Sequence, residues 1–175
     1  MAEIIESNDA IKYSLSHDSE TIRQRMLHPI FFKLYLLRKL PLAFFAGVKI
    51  HRLDMERCDV SIPYRWLSTN PFRSTYFAAL SMAAELSTGA LALMMVENSP
   101  DSIASLIVGL KANFTKKADS LTTFTCNEGT KISSAVERAS KTGVAVVIDV
   151  QSIGHNPDQL IVAEFTFTWS FKKRA

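Results

Sequence analysis

Only two cysteines occur among the 175 residues, Cys58 and Cys126. They form no CxxC pair and no evenly spaced framework, which argues against a disulfide-stapled scaffold and a structural zinc site. A reducing, cytoplasmic setting is expected. The four histidines, His17, His28, His51 and His155, show no ligand spacing, so no metal is expected. Glycine is also scarce, at six residues, and no glycine-rich phosphate loop or GxSxG elbow is present. A P-loop nucleotide site, a Ser-His-Asp triad and a bound cofactor are therefore not expected. Charge lacks a dominant sign: 20 Lys and Arg face 17 Asp and Glu, a net charge of +3, without the dense basic stripe of a nucleic-acid binder. The start of the chain, MAEIIESNDA, lacks the basic residues and apolar run of a secretory signal.

What is present suits one folded domain: 47% hydrophobic and 21% charged residues in a chain of this length. Two apolar stretches invite a membrane reading. Pro29 to Val48 is interrupted by Lys33, Arg38 and Lys39 and broken at Pro41. Ser74 to Val96 is long enough, but it is rich in Ala, Ser and Thr, and Glu85 near its middle would cost roughly 2.5–3.5 kcal/mol in lipid. A helix buried inside the domain fits better.

Residues 1–17 lack a clean period and read as an arm or frayed helix. A short amphipathic helix with Ile22, Met26 and Leu27 follows, with Ser19 as N-cap; a second helix runs from Pro29 to about Leu40 and is apolar around most of its circumference. From Val48 the period changes to two. Cys58, Val60, Ile62, Tyr64 and Trp66 share one face of an expected hairpin. LSTNPFR, Leu67 to Arg73, is loop chemistry before the central helix. Strands are expected over Ile103–Thr115 and Leu121–Asn127, a small surface helix over Gly129–Gly143, and two closing strands around the IGHNPD turn, the last with Phe165, Phe167, Trp169 and Phe171 on one face. A helix apolar all round needs surroundings on most sides, and a curved antiparallel sheet supplies them. The fold class is α+β.

Glu85 is the only charged residue between Arg73 and Glu97. An ionised carboxylate is costly to bury unpaired, so it calls for either a solvent-facing edge, a nearby Arg, or a function. Its context is N70-P-F-R-S-T-Y-F-A-A-L-S-M-A-A-E85-L-S-T-G89, with an Asn in the loop, an acid 85 − 70 = 15 positions later and a Gly four residues beyond. This segment resembles the hot-dog superfamily, in particular the branch of phenylacetyl-CoA and 4-hydroxybenzoyl-CoA thioesterases. There an Asn precedes a His-Gly-Gly that opens the central helix, which then carries an Asp or Glu. Here Tyr76-Phe77-Ala78 stands in place of His-Gly-Gly.

The resemblance implies a hot-dog domain over residues 41–175, preceded by an N-terminal helical extension over 1–40, and a homodimer or dimer of dimers. It further implies an acyl-CoA or related acyl thioester as substrate. Glu85 would act as general base or nucleophile and Asn70 would orient water or carbonyl. The amides at Phe77 and Ala78 would hold the oxyanion, with Tyr76 as a further donor. Arg65, Arg73, Lys111, Lys116 and Lys117 are weak candidates for coenzyme A phosphates, since scattered cations are usually solvated surface. Two readings stay open: a thioesterase, and a non-catalytic acyl-CoA, fatty-acyl or lipid-binding protein, which the missing His-Gly-Gly favours. For Ser19 to Phe45 three roles are weighed: a lid over the acyl pocket, a brace for the sheet or partner subunit, and peripheral membrane docking through Lys33, Arg38 and Lys39 beside the aromatics, the last not favoured.

Overall fold

A computed structural model describes residues 17–174; the expected N-terminal arm lies outside the described residues apart from His17, which opens the first helix. Helices α1 (His17–Leu27), α2 (Pro29–Lys39) and α3 (Pro41–Ala46) lead into strands β1 (Lys49–Leu53) and β2 (Cys58–Ile62). Helix α4 (Phe77–Glu97) is followed by β3 (Ile103–Phe114), β4 (Thr122–Cys126), α5 (Gly129–Thr142), β5 (Val146–His155) and β6 (Ile161–Lys173). The strands form one sheet in the order β1-β2-β4-β5-β6-β3, every neighbouring pair antiparallel. This is the hot-dog fold, with α4 as the filling.

Helix α4 begins at Phe77, not at Ser74, because the residues before it are already bonded elsewhere. The Asn70 side chain accepts from the Phe72 and Ser74 amides, Thr75 N–H donates to the Ala118 carbonyl, and Tyr76 N–H donates to the Ser68 carbonyl. Small residues let the helix approach the sheet closely, and Ala83, Ala84, Ser87, Ala90 and Ala92 are all buried. Two polar contacts fix its register: Ser87 Oγ lies 2.7 Å from Ser152 Oγ on β5, and Trp169 Nε1 donates to Thr88 Oγ1 at 3.1 Å. Among the described residues α4 is the one helix long and apolar enough to cross a bilayer, and its burial under the sheet accounts for that hydropathy.

The last strand behaves as its alternation predicts, with Phe165, Phe167, Trp169 and Phe171 inward against α4 and α5. Helix α5 packs Ile132, Ala135, Val136 and Ala139 into the core, so it seals one end of the domain. The expected hairpin face extends only through Ile62: Pro63 ends β2, and Tyr64 and Trp66 are exposed. Ser19 is not an N-cap. It lies inside α1, buried, and its hydroxyl donates to the Met94 carbonyl of α4 at 3.1 Å, which pins the first helix to the central one.

At the end of α3, Gly47 adopts φ 79, where a side chain is strained, and leaves room for Arg65, whose Nη2 donates to the Phe45 carbonyl at 2.7 Å. Cys58 and Cys126 are direct register partners on β2 and β4, buried and free, and burial pushes both thiols up, Cys126 to about 11. Strand β3 is a sheet edge, and its apolar set Leu106, Val108 and Leu110 is exposed.

Candidate functional site

A groove of about 710 Å³ opens at the N-terminal end of α4. Asn70, Tyr76, Phe77, Lys116 and Lys117 all line it, so five of the residues expected to meet substrate share one surface. No side chain caps the helix, and the Phe77 and Ala78 amides have no acceptor among the described residues. Uncapped N–H groups at a helix start carry the positive end of the macrodipole, which suits a carbonyl oxygen gaining negative charge. Asn70 is half-buried, and its Nδ2 donates to Ser74 Oγ at 3.0 Å while its Oδ1 accepts backbone amides. It therefore shapes the groove wall.

Thr75 was not among the residues singled out from the sequence. Thr75 borders the groove, it is 3% exposed, and its buried Oγ1 has no hydrogen-bond partner among the described residues. A buried hydroxyl left unpaired costs about 1–3 kcal/mol, and it sits beside the two uncapped amides. A hydroxyl two residues before the helix carries no periodic signal, so only the packing around it shows that it is orphaned.

Glu85 lies elsewhere. From Phe77 it is 85 − 77 = 8 positions along α4, about 12 Å at a rise of about 1.5 Å per residue, and it does not line the groove. Its carboxylate folds back over Gly89: a Cβ there would stand 2.8 Å from Oε1 and 3.7 Å from Trp169 Cη2. The glycine four residues after the acid thus has a local reason. Burial raises the Glu85 pKa, and among the described residues no cation or hydrogen-bond donor offsets it. Tyr35 of α2 borders it: burial raises the phenol pKa and the Glu85 charge adds to the rise.

Among the weak candidates, Arg65 is engaged with Phe45 and Arg73 sits at φ 58 in the loop; neither lines the groove. Lys111 is exposed on β3. Among the described residues no group of three His, Cys, Asp or Glu side chains could hold a metal ion.

A family model described as a domain of unknown function (DUF4442) matches residues 30–170. No curated protein matches the chain. Several solved structures share the architecture. A Pseudomonas aeruginosa protein of unknown function, described as a "Probable Thioesterase", is 18% identical with a TM-score of 0.67, over 91% of this chain and 99% of that one. The PaaI protein of the phenylacetic acid degradation operon of E. coli is 16% identical with a TM-score of 0.60, over 93% and 97%. A thioesterase of Haemophilus influenzae is 12% identical with a TM-score of 0.58, over 80% and 88%. At such identities the likeness establishes the fold.

Proposed function

The chain belongs to the DUF4442 family, and from that premise we propose that it is a thioesterase acting on acyl-CoA or a related acyl thioester. The observation that carries the reading is the groove at the start of α4, where the helix opens on two uncapped amides and Asn70, Tyr76, Lys116 and Lys117 line the wall. In the proposed reaction Glu85 takes a proton from water as the water oxygen bonds to the thioester carbon. The carbonyl oxygen, now negative, accepts from the Phe77 and Ala78 amides. Collapse of the tetrahedral intermediate breaks the C–S bond, and the proton held by Glu85 passes to the departing sulfur, giving an acid and a free thiol. Alternatively Glu85 attacks the carbonyl carbon directly, the C–S bond breaks to release the thiolate, and water then cleaves the resulting anhydride, which regenerates the Glu85 carboxylate, forms the acid and supplies the proton that the thiolate takes up. Asn70 orients the carbonyl or the water, and Lys116 and Lys117 at the groove rim face coenzyme A phosphates.

Within one chain Glu85 and the groove are about 12 Å apart along the helix, so the reading includes a homodimer in which one subunit's Glu85 meets the other's groove. The exposed apolar edge strand β3 supports that assembly, since an unpaired edge with Leu106, Val108 and Leu110 in water invites a second sheet. In the same reading residues 1–40 are an extension, 41–175 form the hot-dog domain, α2 with Tyr35 covers the Glu85 region, and the protein works in the cytoplasm.

One observation favours the second reading, a non-catalytic acyl carrier: Phe77 lines the groove at a position where the resemblance has a glycine that would allow closer approach. Thiol release measured over short to long acyl-CoAs separates the two. The enzyme reading expects turnover that Glu85→Ala abolishes; acyl-CoA binding without thiol release from the wild type would leave the carrier. Light scattering of wild type and Leu110→Glu tests the dimer, which the charge at the edge should dissociate.

A further inference from the structure

The outward face of α2 and α3 is their apolar one. In α2 only Phe32 and Leu36 are buried, which leaves Ile30, Phe31, Leu34 and Leu37 between 45% and 65% exposed. Helix α3 continues the face with Leu42 at 76% and Phe45 at 55%. The Arg65 bond to the Phe45 carbonyl ties the next segment to it, where Trp66 is 86% exposed. Single exposed apolar residues are ordinary; a run of the largest side chains over consecutive elements marks an interaction surface.

Charge selects the occupant. No Asp or Glu occurs from Thr21 to Leu53 or from Val60 to Ala84. Lys33, Arg38 and Lys39 flank the apolar side chains of α2, exposed and without a carboxylate partner among the described residues. A second copy docked by a two-fold axis through this face would set these cations against their own equivalents, which is repulsive. Anionic lipid headgroups above an acyl layer match both features at once: they pair with the cations while the leucines enter the acyl boundary and Trp66 sits at headgroup level. We propose that the α2–α3 face docks on the surface of an anionic lipid bilayer, lying in its plane.

The test uses the full chain and does not depend on thioesterase activity, so its failure leaves the proposed reaction standing. Co-sedimentation is measured with vesicles of phosphatidylcholine alone and of equal parts phosphatidylcholine and phosphatidylglycerol. Binding to the mixed vesicles is expected, weakened about fivefold for each of Lys33→Gln, Arg38→Gln and Lys39→Gln, and suppressed at ~1 M salt, where the Debye length is ~3 Å. Leu34→Glu with Leu42→Glu should abolish it with the circular dichroism unchanged, because neither side chain belongs to the buried core, and Lys172→Gln should leave it intact. Absence of wild-type binding to mixed vesicles overturns the proposal, as does binding indifferent to the three cations. A fall in solution mass caused by Leu34→Glu with Leu42→Glu, without vesicle binding by the wild type, would assign the face to a second copy instead.

Discussion

Gly89→Ala separates what Gly89 does for the fold from what it does for Glu85. In the interior of α4 a glycine is about 0.8–1.0 kcal/mol less favourable than alanine, so the substitution should stabilise unless something collides. The added Cβ would lie 2.8 Å from Glu85 Oε1, 3.5 Å from Glu85 Cδ and 3.7 Å from Trp169 Cη2. Only the carboxylate is too close. It is the free end of a flexible side chain, and a shift of about 0.6 Å, from 2.8 to 3.4 Å, restores ordinary contact. The expected result is a gain approaching 1 kcal/mol in urea unfolding, a rise in Tm of about 2–4 °C, and a carboxylate displaced from its native place. A displacement on the order of 1 Å at a reacting group can cost about 100-fold in rate, so acyl-CoA turnover should fall by about 10- to 100-fold in the stabilised protein. In a Glu85→Ala background the same substitution should stabilise the fold at least as much, because the carboxylate it displaces is gone. A destabilised Gly89→Ala protein would refute the packing argument; a stabilised one with full turnover would refute the claim that the position of Glu85 matters to the chemistry.

Three further outcomes follow from the geometry. The Glu85 pKa is raised by burial from its ordinary 4.5, so its contribution to stability is fully present below about 4.5 and is lost as pH rises through the raised value; Glu85→Gln should exceed wild type in Tm at neutral pH, an advantage that closes as the pH is lowered past 4.5. Thr75→Val removes the orphaned hydroxyl and should hold or raise stability by about 1 kcal/mol in urea unfolding; a stability loss in the Val variant would refute the absence of a partner. Gly47→Ala meets the left-handed conformation and the Arg65 guanidinium together and should cost about 1–3 kcal/mol in urea unfolding, whereas Arg65→Ala, losing the Phe45 bond alone, should cost less.

Cys58 and Cys126 are buried register partners on β2 and β4, and burial raises both thiols. Their separation of 68 positions (126 − 58) hid that adjacency, because strand pairing is a long-range property.

Local pattern determined a good deal of this protein. The alternation from Ile161 to Phe171 dictates a strand with one face on a core, and the nearly chargeless run around Glu85 dictates a buried helix, because period and hydropathy act residue by residue. The spacing from Asn70 to Glu85 and Gly89 carried the resemblance to the hot-dog superfamily, and the α4–Gly89–Glu85 contact gives the glycine a physical reason. Helix ends were less legible: Phe77 opens α4 because Thr75 and Tyr76 bond to Ala118 and Ser68, partners from other parts of the fold. Only the tertiary structure decided that Ser19 anchors to Met94, that Thr75 is orphaned in the groove, and that Glu85 stands apart from the uncapped amides. It also decided that α2 turns Ile30, Phe31, Leu34 and Leu37 outward and that β3 is an edge. Each of these depends on which surfaces meet, and a sequence pattern specifies that a face is apolar without specifying what covers it.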